Sequence, residues 1–346
     1  MIGYHCPACG ARPAITIGRF RCDCGAPLEL DGDRAIFRAA GSGDARRPLV
    51  NDDVAGVRVR WALEYVSPTG SYKDRRSGDD QGRGAAAAVG AERLVDDSSG
   101  NAGIALAAAG AHAGLSVRLV VPEDAAPEKL RIARALGATV VAVPGPRERA
   151  AAEAERDAGD GWFYASHAWS PFFVEGVASL AADLADSLDD EVLASVVVPC
   201  GNGGLVLGLD RGFRDLVSAG RLARRPSIVA VQADGVAPLA RAFDDGAQRA
   251  VDGPWPGTMA DGIRVARPAR GAEVLRAVRE SGGRFITVRE TDIADAWRWL
   301  WSRGLPVEPT SAVVAAALRS EGPRLAASGG GIVGVLTGAG IKGPMP

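Results

Sequence analysis

The stretch Val196-Val197-Val198-Pro199-Cys200-Gly201-Asn202-Gly203-Gly204-Leu205 leads from a buried strand through a glycine-rich turn into a helix. The apolar run over residues 192–199 predicts the strand, and the helical pattern resumes at Leu205. Glycines at such a junction let a phosphate approach the backbone N–H groups, because side chains would block it. The turn lacks the Lys-Ser/Thr of a Walker A loop and the spaced glycines of a dinucleotide fingerprint. A lone monophosphate is therefore the expected ligand, and a plain glycine-rich turn is the alternative.

The same order of elements recurs elsewhere in the chain. A strand beginning at Leu94 is followed by predicted strands at 116–122 and 138–143, which alternate with helices at 104–113, 127–136 and 147–157. Further strands are predicted at 57–61, 228–232, 285–288 and 331–336, and further helices at 80–90, 174–188 and 290–304, with another opening at 307–312. Strands that alternate with helices of about ten residues imply a parallel sheet covered on both faces. The sequence therefore predicts an α/β protein.

The turn Ser98-Ser99-Gly100-Asn101-Ala102-Gly103 also joins a strand to a helix. Such a junction presents backbone N–H groups and the positive end of a helix dipole to an anion. Ser98, Ser99 and Asn101 add side-chain donors that suit a carboxylate. An ordinary helix cap with no ligand is the alternative interpretation.

A third turn, Ser67-Pro68-Thr69-Gly70-Ser71-Tyr72-Lys73-Asp74-Arg75, carries one of the chain's few lysines. Only three of the 40 basic residues are lysines: Lys73, Lys129 and Lys342. Arginine stays charged, whereas a desolvated lysine can lose its proton and form a Schiff base with a carbonyl group. Taken alone, this segment is more typical of a solvated turn lysine, and Lys342 is assigned no role.

Four of the five cysteines lie close to the N-terminus, in the pairs Cys6 and Cys9, and Cys22 and Cys24. The first pair has the two-residue spacing and trailing glycine of a zinc knuckle, and the second pair is one residue tighter. Four soft ligands in so short a stretch favour a structural tetrahedral zinc over a disulfide framework. A ribbon that keeps its shape without metal is the alternative.

Composition and net charge bear on the partners and the location to be expected for this chain. The chain has 346 residues, 47% hydrophobic and 24% charged, with a formal net charge of -2, which suits a globular protein with a substantial core. This charge gives no indication of nucleic acid or anionic membrane as a partner. No apolar run reaches the roughly 18 residues of a membrane span, and no signal-peptide pattern is evident. We therefore expect a cytoplasmic protein.

A lysine for a Schiff base, a monophosphate turn and a carboxylate turn together suggest pyridoxal 5'-phosphate (PLP) acting on a small amino acid. The three turns, together with Val307-Glu308-Pro309-Thr310-Ser311-Ala312 and Leu336-Thr337-Gly338, occur in the order of the fold type II PLP enzymes. Within that group the chain resembles threonine synthase and its relatives. The cysteine-rich start resembles the N-terminal region of some threonine synthases, and the resemblance covers nearly the whole chain.

The resemblance implies a role for each matching position. Lys73 would form the Schiff base and act as the proton-transfer base. Asn101 would bind the ring hydroxyl oxygen of the cofactor, and Thr337 would face its ring nitrogen. The phosphate would bind to the backbone of Gly201, Asn202, Gly203, Gly204 and Leu205. The substrate would bind to Ser71, Ser98, Ser99, Gly100, Asn101 and Ala102.

Two further expectations concern the reaction. A hydroxyl at Thr337 does not enforce a protonated ring as an aspartate would, so elimination of a β or γ substituent is favoured over transamination. Threonine synthases carry an arginine for the substrate phosphate where this chain aligns Phe173, and losing that clamp should weaken binding of a phosphorylated substrate. The alternatives are therefore a serine/threonine dehydratase-like lyase or a β-replacement synthase that acts on a non-phosphorylated or O-phospho amino acid. From another class, the alternative is a non-catalytic PLP-binding relative.

The resemblance also implies two Rossmann-like parallel-sheet domains behind the zinc-ribbon-like segment. We expect the cysteine-rich segment at residues 1–35, a large PLP-binding domain at 36–82 plus 161–346, and a small, mobile substrate domain at 83–160. A homodimer is expected by analogy.

Overall fold

The computed structural model describes residues 2–32, 47–76, 90–188, 192–327 and 329–346. Its strands are β1 (Gly3–His5), β2 (Glu29–Asp31), β3 (Leu49–Val54), β4 (Val57–Leu63), β5 (Arg93–Asp96), β6 (Ser116–Pro122), β7 (Thr139–Val143), β8 (Phe163–Tyr164), β9 (Leu193–Pro199), β10 (Ser227–Ala233), β11 (Arg284–Val288) and β12 (Gly331–Leu336). Its α-helices are α1 (Asn101–Ala113), α2 (Pro127–Ala135), α3 (Arg147–Gly159), α4 (Pro171–Asp186), α5 (Gly204–Ser218), α6 (Pro238–Asp244), α7 (Gly271–Glu280), α8 (Glu290–Ser302) and α9 (Pro309–Ala326). Nearly all of the helix predicted over residues 80–90 lies outside the described residues.

The chain forms two compact units. Unit 1 comprises Met1–Ala45 and Lys73–Val177, and unit 2 comprises Arg46–Tyr72 and Ala178–Pro346. The three segments predicted from the sequence, at residues 1–35, 36–82 with 161–346, and 83–160, stay a prediction.

Unit 2 is built on a six-stranded sheet in the order β11-β10-β9-β12-β4-β3. All neighbours pair in parallel except β3, which is antiparallel to β4 at the edge. Every residue of β9 and β12 is buried, as expected of central parallel strands covered on both faces. Because β9, β12 and β4 are adjacent and parallel, the turns that follow them emerge at the same edge of the sheet.

Unit 1 contains a four-stranded parallel sheet in the order β7-β6-β5-β8. The substrate-type turn predicted after Leu94 follows β5, one of its two central strands. A separate antiparallel pair, β1 and β2, belongs to the cysteine-rich segment. The predicted α/β class with parallel sheets is confirmed. Among the described residues, no helix combines the length and the apolar character that crossing a membrane requires.

Candidate functional site

The glycine-rich turn of unit 2 connects β9 to α5. Gly203 caps the helix with φ +79°, and a Cβ added there would lie 2.1 Å from Val274 Cγ2, so both the backbone angle and the packing require glycine. A Cβ on Gly201 would lie 3.0 Å from the carbonyl oxygen of Gly262, a tight contact with the backbone that disfavours a side chain there. The first N–H groups of α5 have no acceptor within the helix. The turn therefore offers backbone donors and a helix dipole to an anion.

A buried glutamine holds this turn in place. Gln232 Nε2 donates to the carbonyl oxygen of Cys200 (3.1 Å), while its Oε1 accepts from Leu239 N and Ala240 N at the start of α6. All its polar atoms are thus engaged in a side chain that is 0% exposed. Burial raises the pKa of the Cys200 thiol to about 12, so this cysteine is neutral and acts as packing beside the turn.

A pair of hydroxyls marks the end of β12. Thr337 follows the strand, and its Oγ1 lies 3.1 Å from Oγ of Ser311, in the first turn of α9. Ser311 Oγ also accepts hydrogen bonds from the backbone N–H groups of Thr337 (2.9 Å) and Gly338 (3.0 Å). Both hydroxyls are buried. Because β9 and β12 pair in register, with Val197 opposite Gly334, Thr337 lies beside the start of the glycine-rich turn.

The turn that leads to Lys73 packs against the same strand end. Ser71 forms a bridge with Gly338, and Tyr72 N donates to the carbonyl oxygen of Thr337 at 2.9 Å. Gly70 allows the turn because its φ is +78°. Ser71 Oγ is buried and makes no hydrogen bond to the described residues. A buried hydroxyl in this state is available to form a hydrogen bond with a ligand.

In unit 1, the amine of Lys73 lies over an aromatic ring. Its Nζ is 4.7 Å from the ring centre of Phe173, a distance at which the ring face attracts an ammonium ion. His167 packs edge-on against the same ring, with 6.3 Å between the ring centres. Burial and the positive charge of Lys73 lower the pKa of His167 to about 4, so its imidazole is neutral near pH 7.

The predicted carboxylate turn follows two buried aspartates at the end of β5. Asp97 accepts a hydrogen bond from Tyr164 Oη (2.9 Å) and lies 3.5 Å from the Arg147 guanidinium, while Asp96 Oδ1 accepts from Asp97 N. Burial and the neighbouring Asp96 raise the pKa of Asp97 to about 6. These contacts fix the residues immediately before the turn.

The turn itself ends where α1 begins, at Asn101, three residues earlier than predicted. Gly100 caps the helix, and its N–H donates to Ser98 Oγ at 3.3 Å. A Cβ on Gly103 would lie 2.3 Å from the carbonyl oxygen of Ser98, so close packing requires glycine there. Ser98 and Ala102 are buried, whereas Ser99, Gly100 and Asn101 are half-buried. The turn thus offers helix N-terminal amides together with polar side chains.

The four N-terminal cysteines converge on one point. The sulfur atoms of Cys6, Cys9, Cys22 and Cys24 all lie within 4.8 Å of one another. Each pair sits in a tight turn, closed by Gly10 N to the carbonyl of Cys6 (2.9 Å) and Gly25 N to the carbonyl of Cys22 (2.8 Å). The arrangement suits a tetrahedral metal ion with thiolate ligands.

Comparison with known proteins identifies the family. The family described as pyridoxal-phosphate dependent enzyme matches residues 48–338. The chain belongs to this family. Threonine synthase from Methanosarcina acetivorans is 33% identical over 74% of this chain and 63% of its own length. Threonine synthase from Methanocaldococcus jannaschii is 32% identical over 81% of this chain and 70% of its own length. The chain therefore spans about two thirds of the length of these relatives.

A solved structure confirms the fold of this pyridoxal-phosphate dependent enzyme. The T.th. threonine deaminase superposes with a TM-score of 0.72 at 26% identity, covering 88% of this chain and 96% of its own. The resemblance to fold type II enzymes and to threonine synthase is thereby confirmed, and PLP is the cofactor that the family implies.

The residues of each unit fit this cofactor. Unit 2 presents the backbone N–H groups of the glycine-rich turn, where Gly203 packs too closely against Val274 for a side chain, and the hydroxyl of Thr337 at the neighbouring strand end. It also presents the buried hydroxyl of Ser71, which has no hydrogen-bond partner among the described residues. Unit 1 presents Lys73 and the turn with Asn101.

Sequence reasoning missed Ser311, Gln232 and the cluster of Asp96, Asp97 and Tyr164. Ser311 lies within the motif at residues 307–312. Its position, a serine in the first turn of a predicted helix, was the signal that could have identified it. Two consecutive acids at the end of an apolar strand were a second such signal, because buried acids need partners.

Proposed function

We propose that this chain catalyses PLP-dependent elimination or replacement on a small amino acid, with threonine synthase-like chemistry. The observation that carries the proposal is the hydroxyl pair of Ser311 and Thr337 at the strand end beside the glycine-rich turn. A hydroxyl at that position, in place of a carboxylate, supports elimination over transamination. The family match over residues 48–338 supports the cofactor.

The hydrogen bonds of Ser311 support a defined direction for the Thr337 hydroxyl. A serine oxygen has two lone pairs and one proton, and two backbone N–H groups already occupy the lone pairs of Ser311. The Ser311 proton can reach either Thr337 Oγ1 (3.1 Å) or the carbonyl oxygen of Gly338 (3.4 Å). In both cases Ser311 has no lone pair left to accept from Thr337, so the Thr337 proton is available to an external acceptor. An unprotonated ring nitrogen is such an acceptor.

The remaining roles follow the sequence motifs. Lys73 would hold the cofactor through Nζ, and the same amine would accept the α proton of the substrate. Asn101 binds the ring hydroxyl oxygen. The phosphate is held by the backbone donors of Gly201, Asn202, Gly203, Gly204 and Leu205. The substrate carboxylate is held by the turn of Ser98, Ser99, Gly100, Asn101 and Ala102. Ser71 is a further substrate-binding residue. When bound, the cofactor supplies an electron sink for charge that develops at the substrate Cα.

Phe173 favours a substrate without phosphate. Its side chain is 1% exposed and its ring faces Lys73 Nζ, so it offers no donor to a phosphate group. This observation supports a dehydratase-like lyase or a β-replacement synthase as the second candidate function. A non-catalytic PLP-binding relative is the alternative that turnover of any substrate would exclude.

Reduction of the loaded protein with borohydride, followed by peptide mass spectrometry, tests the attachment site. Since the chain has only three lysines, the modified residue is identified without ambiguity. We expect Lys73 to be modified, Lys73→Ala to abolish the modification and the visible absorbance, and the control Lys129→Ala to retain both. Modification of Lys129 or Lys342 alone would refute the assignment.

A panel of amino acids with and without O-phosphate identifies the substrate class. We expect non-phosphorylated amino acids to be turned over faster than their O-phospho counterparts, and Phe173→Arg to shift the ratio of kcat/KM towards the phosphorylated ones. An O-phospho preference in the unsubstituted protein would instead favour the threonine synthase reaction itself.

We also propose that Cys6, Cys9, Cys22 and Cys24 hold a structural zinc in a zinc-ribbon-like segment, supported by their converging sulfur atoms. A cytoplasmic homodimer, with residues 83–160 as the mobile substrate domain, is proposed by analogy with the family. Metal analysis and light scattering of the purified protein test the zinc and the dimer.

A further inference from the structure

Lys342 places its ammonium group on the turn that leads to Lys73. It is the last residue of the short 3-10 helix Gly340–Lys342, and it is half-buried. Its Nζ donates to the carbonyl oxygens of two consecutive residues, Thr69 at 2.9 Å and Gly70 at 2.8 Å. Hydrogen bonds from a charged donor are roughly twice as strong as neutral ones.

The residues that precede Lys342 also hydrogen-bond to the turn that leads to Lys73. Tyr72 N donates to the carbonyl of Thr337, Ser71 bridges Gly338, and Ala339 N donates to the carbonyl of Gly70 at 2.9 Å. The Gly70 carbonyl thus accepts from both Ala339 N and Lys342 Nζ. A Cβ on Gly70 would lie 3.2 Å from Lys342 Cε and Nζ, so the lysine chain packs directly on the turn.

The geometry suits lysine better than arginine. One nitrogen atom serves two adjacent carbonyl oxygens, which a compact ammonium with three donors can do. A guanidinium instead fixes its five donors in a rigid planar fork on a larger group, so it is less able to reproduce this pair of hydrogen bonds. This chain uses arginine for nearly all its basic residues, so the lysine here is consistent with a geometric requirement.

We propose that Lys342 is a positioning residue for Lys73. By holding the carbonyls of Thr69 and Gly70, it fixes the backbone three residues before the reactive amine and orients the peptide from which Lys73 projects. It contacts no reacting atom in this role. The inference rests on the proposed function of Lys73, but the part that concerns the turn can be tested without the cofactor.

The first measurement is amide hydrogen exchange in the PLP-free protein, comparing Lys342→Met with the unsubstituted chain and with Lys129→Met as the control. We expect exchange in residues 67–72 to quicken by roughly tenfold or more, as loss of a charge-assisted pair implies. Exchange in the central strand β9 should remain unchanged. Unchanged exchange in residues 67–72 would overturn the proposal.

The second measurement is the rate at which Lys73 becomes trapped by borohydride after PLP is added. We expect Lys342→Met to lower this rate by roughly tenfold or more, Lys342→Arg to restore it only in part, and Lys129→Met to leave it unchanged. The thermal unfolding midpoint of each variant is measured beside it. A lowered midpoint with an unchanged trapping rate would show a merely structural lysine and overturn the proposal.

The two measurements separate this inference from the proposed function. If the unsubstituted protein traps no PLP at Lys73, the proposed function fails, and with it the claim that Lys342 positions a reactive amine. Hydrogen exchange would then still decide whether Lys342 holds the turn.

Discussion

Replacing Ser311 with alanine removes the acceptor of two buried backbone N–H groups. Ser311 Oγ accepts from Thr337 N at 2.9 Å and from Gly338 N at 3.0 Å, and the residue is 0% exposed. Thr337→Val is the matched control, because it removes the other hydroxyl of the pair and leaves both N–H groups satisfied. The comparison separates the scaffold role of Ser311 from the ligand role proposed for Thr337.

The expected costs differ because the number of unsatisfied groups differs. A buried donor left without a partner costs about 1–3 kcal/mol, so the two donors freed by Ser311→Ala should lower the free energy of unfolding by about 2–6 kcal/mol. In Thr337→Val, the Ser311 proton can turn to the carbonyl of Gly338, 3.4 Å away. That variant should lose about 1 kcal/mol, the net value of an ordinary hydrogen bond.

Urea unfolding of the PLP-free proteins, followed by circular dichroism, measures both costs from midpoint and slope. The dissociation constant for PLP is measured in parallel. Thr337→Val should weaken PLP binding although it is the more stable variant, since it removes the proposed donor to the ring nitrogen. Equal unfolding free energies for the two variants, or a loss below about 1 kcal/mol for Ser311→Ala, would refute the hydrogen-bond assignment.

Three other perturbations test separate parts of the molecule. Gly203→Ala should weaken PLP binding strongly, because the new Cβ would meet Val274 Cγ2 at 2.1 Å and displace the glycine-rich turn, and unchanged affinity in a titration would contradict the phosphate role of that turn. Removing zinc with a chelator should lower the unfolding temperature of the unsubstituted protein but not that of Cys6→Ser, and identical responses in calorimetry would argue against a structural metal. Burial and the charge of Lys73 lower the pKa of His167 to about 4, so its contribution to stability is complete above pH 6.5 and declines as the pH falls towards 4. His167→Asn should therefore lose less stability than the unsubstituted protein between pH 7 and pH 5 in urea titrations, and parallel losses would contradict this assignment.

Local rules explain why the elements and turns could be predicted from the sequence. The apolar run of β6 and its flanking helices obey simple periodicities, and the predicted strand at 116–122 matches Ser116–Pro122. The glycine-rich turn was recognised for the same reason, because its glycines, its strand and its helix are consecutive in the chain. The roles of the individual site residues stay predictions.

Contacts between distant parts of the chain could not be predicted from such patterns. Lys342 lies 272 residues from Gly70 in sequence, and nothing in its neighbourhood distinguishes it from a surface lysine. Ser311 and Thr337 are 26 residues apart, and their pairing depends on how α9 packs beside β12. The order β9-β12-β4 also joins strands from opposite ends of the chain, which no periodicity encodes.

That strand order explains why three separate motifs can serve one ligand. The glycine-rich turn follows β9, Thr337 follows β12, and the lysine turn follows β4, and these strands are parallel neighbours. Adjacent strands lie about 4.8 Å apart, so the glycine-rich turn begins one strand spacing from Thr337. The lysine turn follows β4 after the 3-10 helix Glu64–Val66, and it pairs with Thr337 and Gly338 through Tyr72 and Ser71. A compact ligand can therefore contact the phosphate turn at one side, the threonine hydroxyl at its centre and Ser71 at the other side. The three motifs lie far apart in the sequence, and they meet because the sheet places β12 between β9 and β4.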